Sequence, residues 1–114
     1  MNLKILLPTR IMMDREVDKI IAEAANGSFG ILPRHIDFLA ALVPGILSIE
    51  YDNGKEEFLA IDEGILVKQD SKVLISTRDA VSGPELGKLR EVVREKFETL
   101  DDQEKKSRTA LAKL

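Results

Sequence analysis

The chain contains no cysteine and no tryptophan, and aromatic residues make up only 4% of it. Without cysteine neither disulfides nor thiolate metal centres can form, a composition suited to a reducing compartment. So few rings leave little from which to build stacking platforms for bases or sugars. A dominant charge is missing too. The 20 acidic and 17 basic side chains leave a net charge of −3, with no run of like charge long enough to form a tail. Nucleic acid and anionic bilayers attract the opposite balance. The N-terminal Met1-Asn2-Leu3-Lys4-Ile5-Leu6-Leu7-Pro8 has too short an apolar run for a signal peptide, and no stretch is long enough to span a bilayer. The expectation is a soluble, cytoplasmic protein without direct membrane insertion and without a nucleic-acid partner.

Catalytic sets are also scarce. With one histidine, no cysteine and scattered Ser/Thr, no nucleophile–base–orienter constellation can be assembled. His35 and Asp37 are two apart, so on a strand they would share a face and could ligate a metal or act as a base. Two ligands without a third read more readily as a structural pair, and a histidine beside a proline corner as one that fixes its loop by a hydrogen bond. Gly27-x-x-Gly30 lacks the third glycine and the Lys-Ser/Thr pair of a phosphate loop. The expectation is therefore a non-catalytic chain with no catalytic or metal residues, no nucleotide site and no cofactor.

What is present is turn punctuation. With 114 residues and 44% hydrophobic content, the chain suffices for one modest domain, or a small domain with an appendage. Residues 1–82 read as β: Leu3–Leu7, Val17–Ala25, Ser28–Leu32, Ile46–Tyr51, Glu57–Ile61, Ile65–Lys68 and Val73–Thr77 are apolar or alternating runs. Asn26-Gly27 and Asp52-Asn53-Gly54 supply hairpin signals, and Asp62–Gly64 and Asp70–Lys72 further turns. The stretch from Gly27 to Gly45 is the most distinctive. It reads as a tight turn at Asn26–Gly30, a short strand, a corner at Pro33–His35, a second strand and a turn at Pro44-Gly45. Short strands with turns about every ten residues predict a sandwich or barrel.

Residues 83–114 read as α. Pro84 suits a first helical position, and Ser82 with Glu85 has capping-box spacing. Leu86, Leu89, Val93, Phe97 and Leu100 then recur at helical spacing, forming one apolar stripe that needs cover. Asp101 with Glu104 forms a second box that divides the region into a helical hairpin with a short second helix. The charge divides at the same place, net −4 over residues 1–82 and net +1 over residues 83–114. A small β-sandwich with a helical tail and an uncovered stripe favours an interaction module. It leaves open a free-standing sandwich that binds a small ligand or anion at the Gly27–His35 corner.

Gly27-x-x-Gly30-Ile31-Leu32-Pro33-x-His35, followed by Phe38-Leu39 and Pro44-Gly45-Ile46-Leu47-x-Ile49, resembles the signature of the epsilon subunit of F-type ATP synthases. The likeness continues through Glu57-Phe58, Gly64-Ile65-Leu66, Val73-Leu74-Ile75 and Asp79-Ala80. The resemblance implies a flattened sandwich of about ten strands over residues 1–82, then a helix-turn-helix over residues 83–114. It implies a central-stalk rotor subunit on the cytoplasmic face of the membrane, peripheral to it. Its partners would be the gamma subunit, the c-ring and, through the C-terminal helices, the alpha/beta core. Those helices would regulate ATP hydrolysis by using Leu86, Leu89, Val93, Phe97 and Leu100 against alternative partners. Asn26, Gly27, Ser28, Phe29, Gly30, Pro33 and His35 match the region of c-ring and gamma contact. Asp37 stands where the family usually has proline, and Arg34 where glycine is common. Leu100-Asp101-Asp102-Gln103-Glu104-Lys105 has Glu where the ATP-binding motif of some members needs Arg, so no such site is expected. The Glu/Arg-rich helix is closer to the alternate, sodium-type rotary branch.

Overall fold

In the computed structural model the described residues, 1–83 and 85–98, form ten strands and one helix. The strands are β1 (Asn2–Leu7), β2 (Arg10–Glu16), β3 (Lys19–Ala24), β4 (Gly27–Ile31), β5 (Phe38–Leu42), β6 (Gly45–Tyr51), β7 (Lys55–Ile61), β8 (Gly64–Gln69), β9 (Lys72–Thr77) and β10 (Ala80–Ser82). They are arranged as two layers. One sheet runs β5-β8-β9-β1-β2, and the other runs β4-β3-β6-β7-β10. The single pair Ala24↔Leu42 joins β3 to β5 and closes the two layers into a near-barrel. All pairings are antiparallel except β1 with β9.

Period-two alternation builds the core, because successive side chains on a strand point to opposite faces. Leu3 and Ile5, Ile20 and Ala22, Leu47 and Ile49, and Val73 and Ile75 all turn inward and are buried. Leu59, Ile61, Leu66 and Ile31 fill the space between them. The predicted hairpins lie where turn residues permit left-handed backbone. Asp52 and Asn53 take φ of 46° and 60°, and Asp70 takes 54°. Gly64 is needed for another reason: a Cβ there would run into the Ser76 backbone carbonyl, so only glycine lets β8 and β9 lie this close.

The sandwich and the strand expectations agree, with four corrections. The expected Val17–Ala25 strand runs from Lys19 to Ala24, since Val17 opens the β2–β3 link with its N–H donated to the Met1 carbonyl. The tight turn expected over Asn26–Gly30 is shorter, occupying Ala25–Asn26, and β4 already begins at Gly27, whose φ is 120°. His35 and Asp37 do not share a strand face, because the chain between β4 and β5 is irregular. The capping box is not formed either. Ser82 belongs to β10, the helix N-cap is Glu85, and no side chain caps it.

The helix α1 (Leu86–Val92) continues as a π-helical segment over Val93–Glu98. Leu89, Val93 and Phe97 are buried against Ala60, with Ile46, Phe58, Val81 and Val92 around them. Leu86 is half-buried at the start of the same stripe. Lys96 is tied to Asp79 at 3.2 Å, so the end of the helix is pinned to the link before β10. Pro84, Leu100 and the expected second helix at 101–114 lie outside the described residues.

Candidate functional site

The Asn26–His35 corner is built at the open edges of the two sheets. Among the described residues β4 pairs only with β3, and β5 meets β3 at a single residue pair, so the chain between them passes from one layer to the other. Pro33 provides the bend. With φ fixed by its ring it suits the second position of a β-turn, and the His35 N–H donates to the Leu32 carbonyl at 3.0 Å, closing Leu32–His35.

The histidine is then occupied locally. Its Nδ1–H donates to the Ile36 carbonyl at 3.0 Å, and its ring lies 4.9 Å from that of Phe38, tilted by 56°. Phe38 in turn meets Phe29 edge-on, with centroids 5.8 Å apart. These three rings fasten the corner to β4 and β5. Asp37 Oδ1 accepts the Asp70 N–H at 2.8 Å, which ties the corner to the β8–β9 turn. Among the described residues no group of three His, Asp or Glu side chains could hold a metal.

Lys68 is the residue that the sequence does not single out. It is 1% exposed, yet among the described residues its ammonium meets no carboxylate; it donates to the backbone carbonyls of His35, at 3.0 Å, and Asp70. A buried cation is costly unless its donors are engaged. Here it holds the corner and the β8–β9 turn from below, while Asp37 holds them from the side.

Seen from outside, Asn26, Gly27, Ser28, Phe29, Gly30 and His35 come together around an open groove of about 340 Å³, completed by Ala24, Phe38 and Ala40. Pro33 is exposed on the turn beside it, as are Leu32 at 55% and Ile36 at 77%. The predicted corner residues therefore form one surface. No lysine or arginine lines the groove, so an anion there would be held by backbone N–H groups rather than by a charge-assisted side-chain contact. The predicted helix stripe forms a second, separate cluster, with Leu89, Val93 and Phe97 turned onto the opposite sheet. Leu100 and the Leu100–Lys105 stretch lie outside the described residues.

Residues 1–83 match the family model described as ATP synthase, Delta/Epsilon chain, beta-sandwich domain. ATP synthase epsilon chain 2 of Cereibacter sphaeroides is 30% identical over 110 residues, covering 95% of this chain and 75% of the relative. The ATP synthase epsilon chain of Dichelobacter nodosus is 34% identical over 82 residues, covering 72% and 57%. Among solved structures, a chain of the Euglena gracilis mitochondrial ATP synthase OSCP/F1/c-ring assembly superimposes with a TM-score of 0.68 and 29% identity. That match covers 82% of this chain and 61% of the other. A chain of the Tetrahymena thermophila mitochondrial ATP synthase central stalk and c-ring shares the fold at a TM-score of 0.59 and 19% identity, covering 69% and 63%. The chain thus spans three quarters of the first relative and less than two thirds of the other three. Motif order, sandwich and sequence likeness agree: this chain belongs to the ATP synthase epsilon-chain family.

Proposed function

We propose that the chain works as a non-catalytic rotor subunit in the central stalk of a rotary ATP synthase, linking the gamma subunit to the c-ring. One observation carries this reading. This chain, whose residues 1–83 match the family model, superimposes over 82% of its length on a chain of an F1/c-ring assembly at 29% identity. The corner supports the division of labour. It is rigid beneath and exposed above, with Lys68 and Asp37 fixing the backbone while Asn26, Ser28, Pro33 and His35 face outward. A surface that transmits torque to polar loops of a ring needs that combination.

The helix supports a regulatory role. Leu89, Val93 and Phe97 are held against the sheet by apolar burial, worth roughly 1.5–3 kcal/mol for each fully buried side chain. Release toward the alpha/beta core would expose all three, so it requires a partner that covers them again. No helix among the described residues is long and apolar enough to cross a membrane. The position that goes with the rotor reading is peripheral, on the cytoplasmic face.

The test is size-exclusion chromatography of the full chain with the gamma subunit from the same source, followed by addition of the detergent-solubilised c-ring. Co-elution with gamma, then with the ring, is the expected result. Separate elution of two folded proteins at micromolar concentration would remove the rotor reading.

A further inference from the structure

The two ends of β8 and β9 close the sandwich interior in different ways. At the β7–β8 end the buried polar side chains are Asp62 and Thr77. Asp62 is met by Arg78 at 3.2 Å, so that buried charge has a counter-charge. At the other end β8 alternates so that Leu66 and Lys68 both turn inward and are buried. Register places Lys68 between Phe38 on β5 and Val73 on β9. An apolar side chain of similar length would fill that position without taking a charge out of water. What the lysine adds is an ammonium, which only donates. Here it donates to the backbone carbonyls of His35 and Asp70.

Those two carbonyls belong to segments that little else fixes. Residues 32–37 lie outside the strands and are all exposed, so neither a sheet ladder nor core packing sets their shape. Their shape rests on a few bonds: His35 N–H to the Leu32 carbonyl, the His35 ring to the Ile36 carbonyl, Asp37 to the Asp70 N–H, and Lys68 to the His35 carbonyl. Asp70 is gripped at both of its backbone groups, its N–H by Asp37 and its carbonyl by Lys68. It takes a left-handed φ of 54°, a conformation that needs support in a residue with a side chain. The corner and the β8–β9 turn are thus one unit, and the ammonium of Lys68 is the point where they meet.

We propose that Lys68 is the positioning residue of the corner, its ammonium holding residues 32–37 in the one shape that the polar loops of the c-ring engage. The proposal rests on the rotor reading and adds the group that makes the contact surface rigid. Lys68 is 1% exposed, so it acts on the ring through the His35 backbone without touching the ring. Without the ammonium, the His35 and Asp70 carbonyls lose a donor, and the link between β4 and β5 is left to sample several shapes. Only part of that population can bind, and apparent affinity falls by the same fraction.

The test uses the complex of the full chain with the gamma subunit and measures its binding to detergent-solubilised c-ring. Lys68→Met should leave gamma binding unchanged and raise amide exchange at His35 and Asp70. Ring binding should weaken about tenfold, the loss expected when the corner is competent about a tenth of the time. Because the chain has no cysteine, Lys68→Cys can be alkylated at that thiol with 2-bromoethylamine in the unfolded state, which rebuilds an ammonium on a stem of lysine length. After refolding, that protein should recover wild-type ring binding. Should Lys68→Met not fold, Asp37→Ala at an exposed position carries the test, with the same pattern at smaller amplitude. Ring binding that stays at the wild-type level, or amide exchange that does not rise, would overturn the positioning role. Equal losses toward gamma and ring would assign Lys68 to the fold alone and overturn it as well, as would a refolded, alkylated chain that fails to recover. A wild-type chain that binds gamma but not the ring, or neither, would remove the rotor reading and the proposal with it.

Discussion

The row Val81–Ala60–Ile46 on one sheet and the row Leu39–Val67–Leu74 on the other are alike in sequence terms: each is an apolar line on the outward side of a half-buried strand set. They differ in size at the centre. Ala60, fully buried, leaves room for a helix to lie close, and Leu89, Val93 and Phe97 fill that room. Leu39 and Leu74 stand out from their sheet, and no element of the described chain comes over them. Outward apolar residues on both faces of a small sandwich mean that both faces need cover. The difference teaches that one face carries its cover within the described chain, while the other has none among the described residues.

The comparison can be broken first at the layer between the two faces. Leu66 is fully buried beneath the bare face. Leu66→Ala should cost about 2–5 kcal/mol and lower the melting midpoint of the whole sandwich. Phe97→Ala should behave differently although Phe97 is only 2% exposed. Its cost is capped by the free energy of docking the helix. The sandwich melt should therefore stay nearly unchanged while amide exchange rises through Leu86–Phe97. A Phe97→Ala variant that unfolds globally at a much lower temperature would show that helix and sandwich are one cooperative unit. Smaller still is Asp37→Ala, which removes one bond to the Asp70 N–H. A loss of about 1 kcal/mol is expected, the usual net worth of a hydrogen bond, with new exchange at Asp70.

The sandwich was legible because its turn chemistry and alternation point the same way: Asp52-Asn53-Gly54 and Asp70-Ser71 both turn where strongly alternating strands end. The edge strands were less so. β2, Arg10–Glu16, carries charges at both ends and two methionines at its centre, and among the described residues is paired only to β1. That is how an edge resists adding a further strand, and it erases the hydrophobic signal used to find one. β10 is three residues long, too short to show any period. The corner was legible as a surface but not in its chemistry. The two-residue spacing offered a joint His35–Asp37 site only as the lesser reading beside a histidine that fixes its loop, and the Pro33 turn sends His35 to Ile36 and Phe38 and Asp37 to Asp70. Lys68 could not be found from the sequence. A lysine on a strand reads as exposed, and only the pairing of Lys68 with Phe38 brings it under the His35 carbonyl. The bare face was hidden for a similar reason, since Leu39, Val67 and Leu74 become neighbours only through the register of three strands.

The smallest expected effect is also the sharpest check on the comparison. Leu39 is 69% exposed in the row without a cover. If that row is bare in the isolated chain, Leu39→Ser removes little burial, and stability should change by no more than about 0.5 kcal/mol in denaturant unfolding. Leu89→Ser, in the covered row, should loosen the helix visibly by amide exchange in the same preparation, because Leu89 is 2% exposed. Equal, large losses for the two variants would mean that both faces are covered in the free chain.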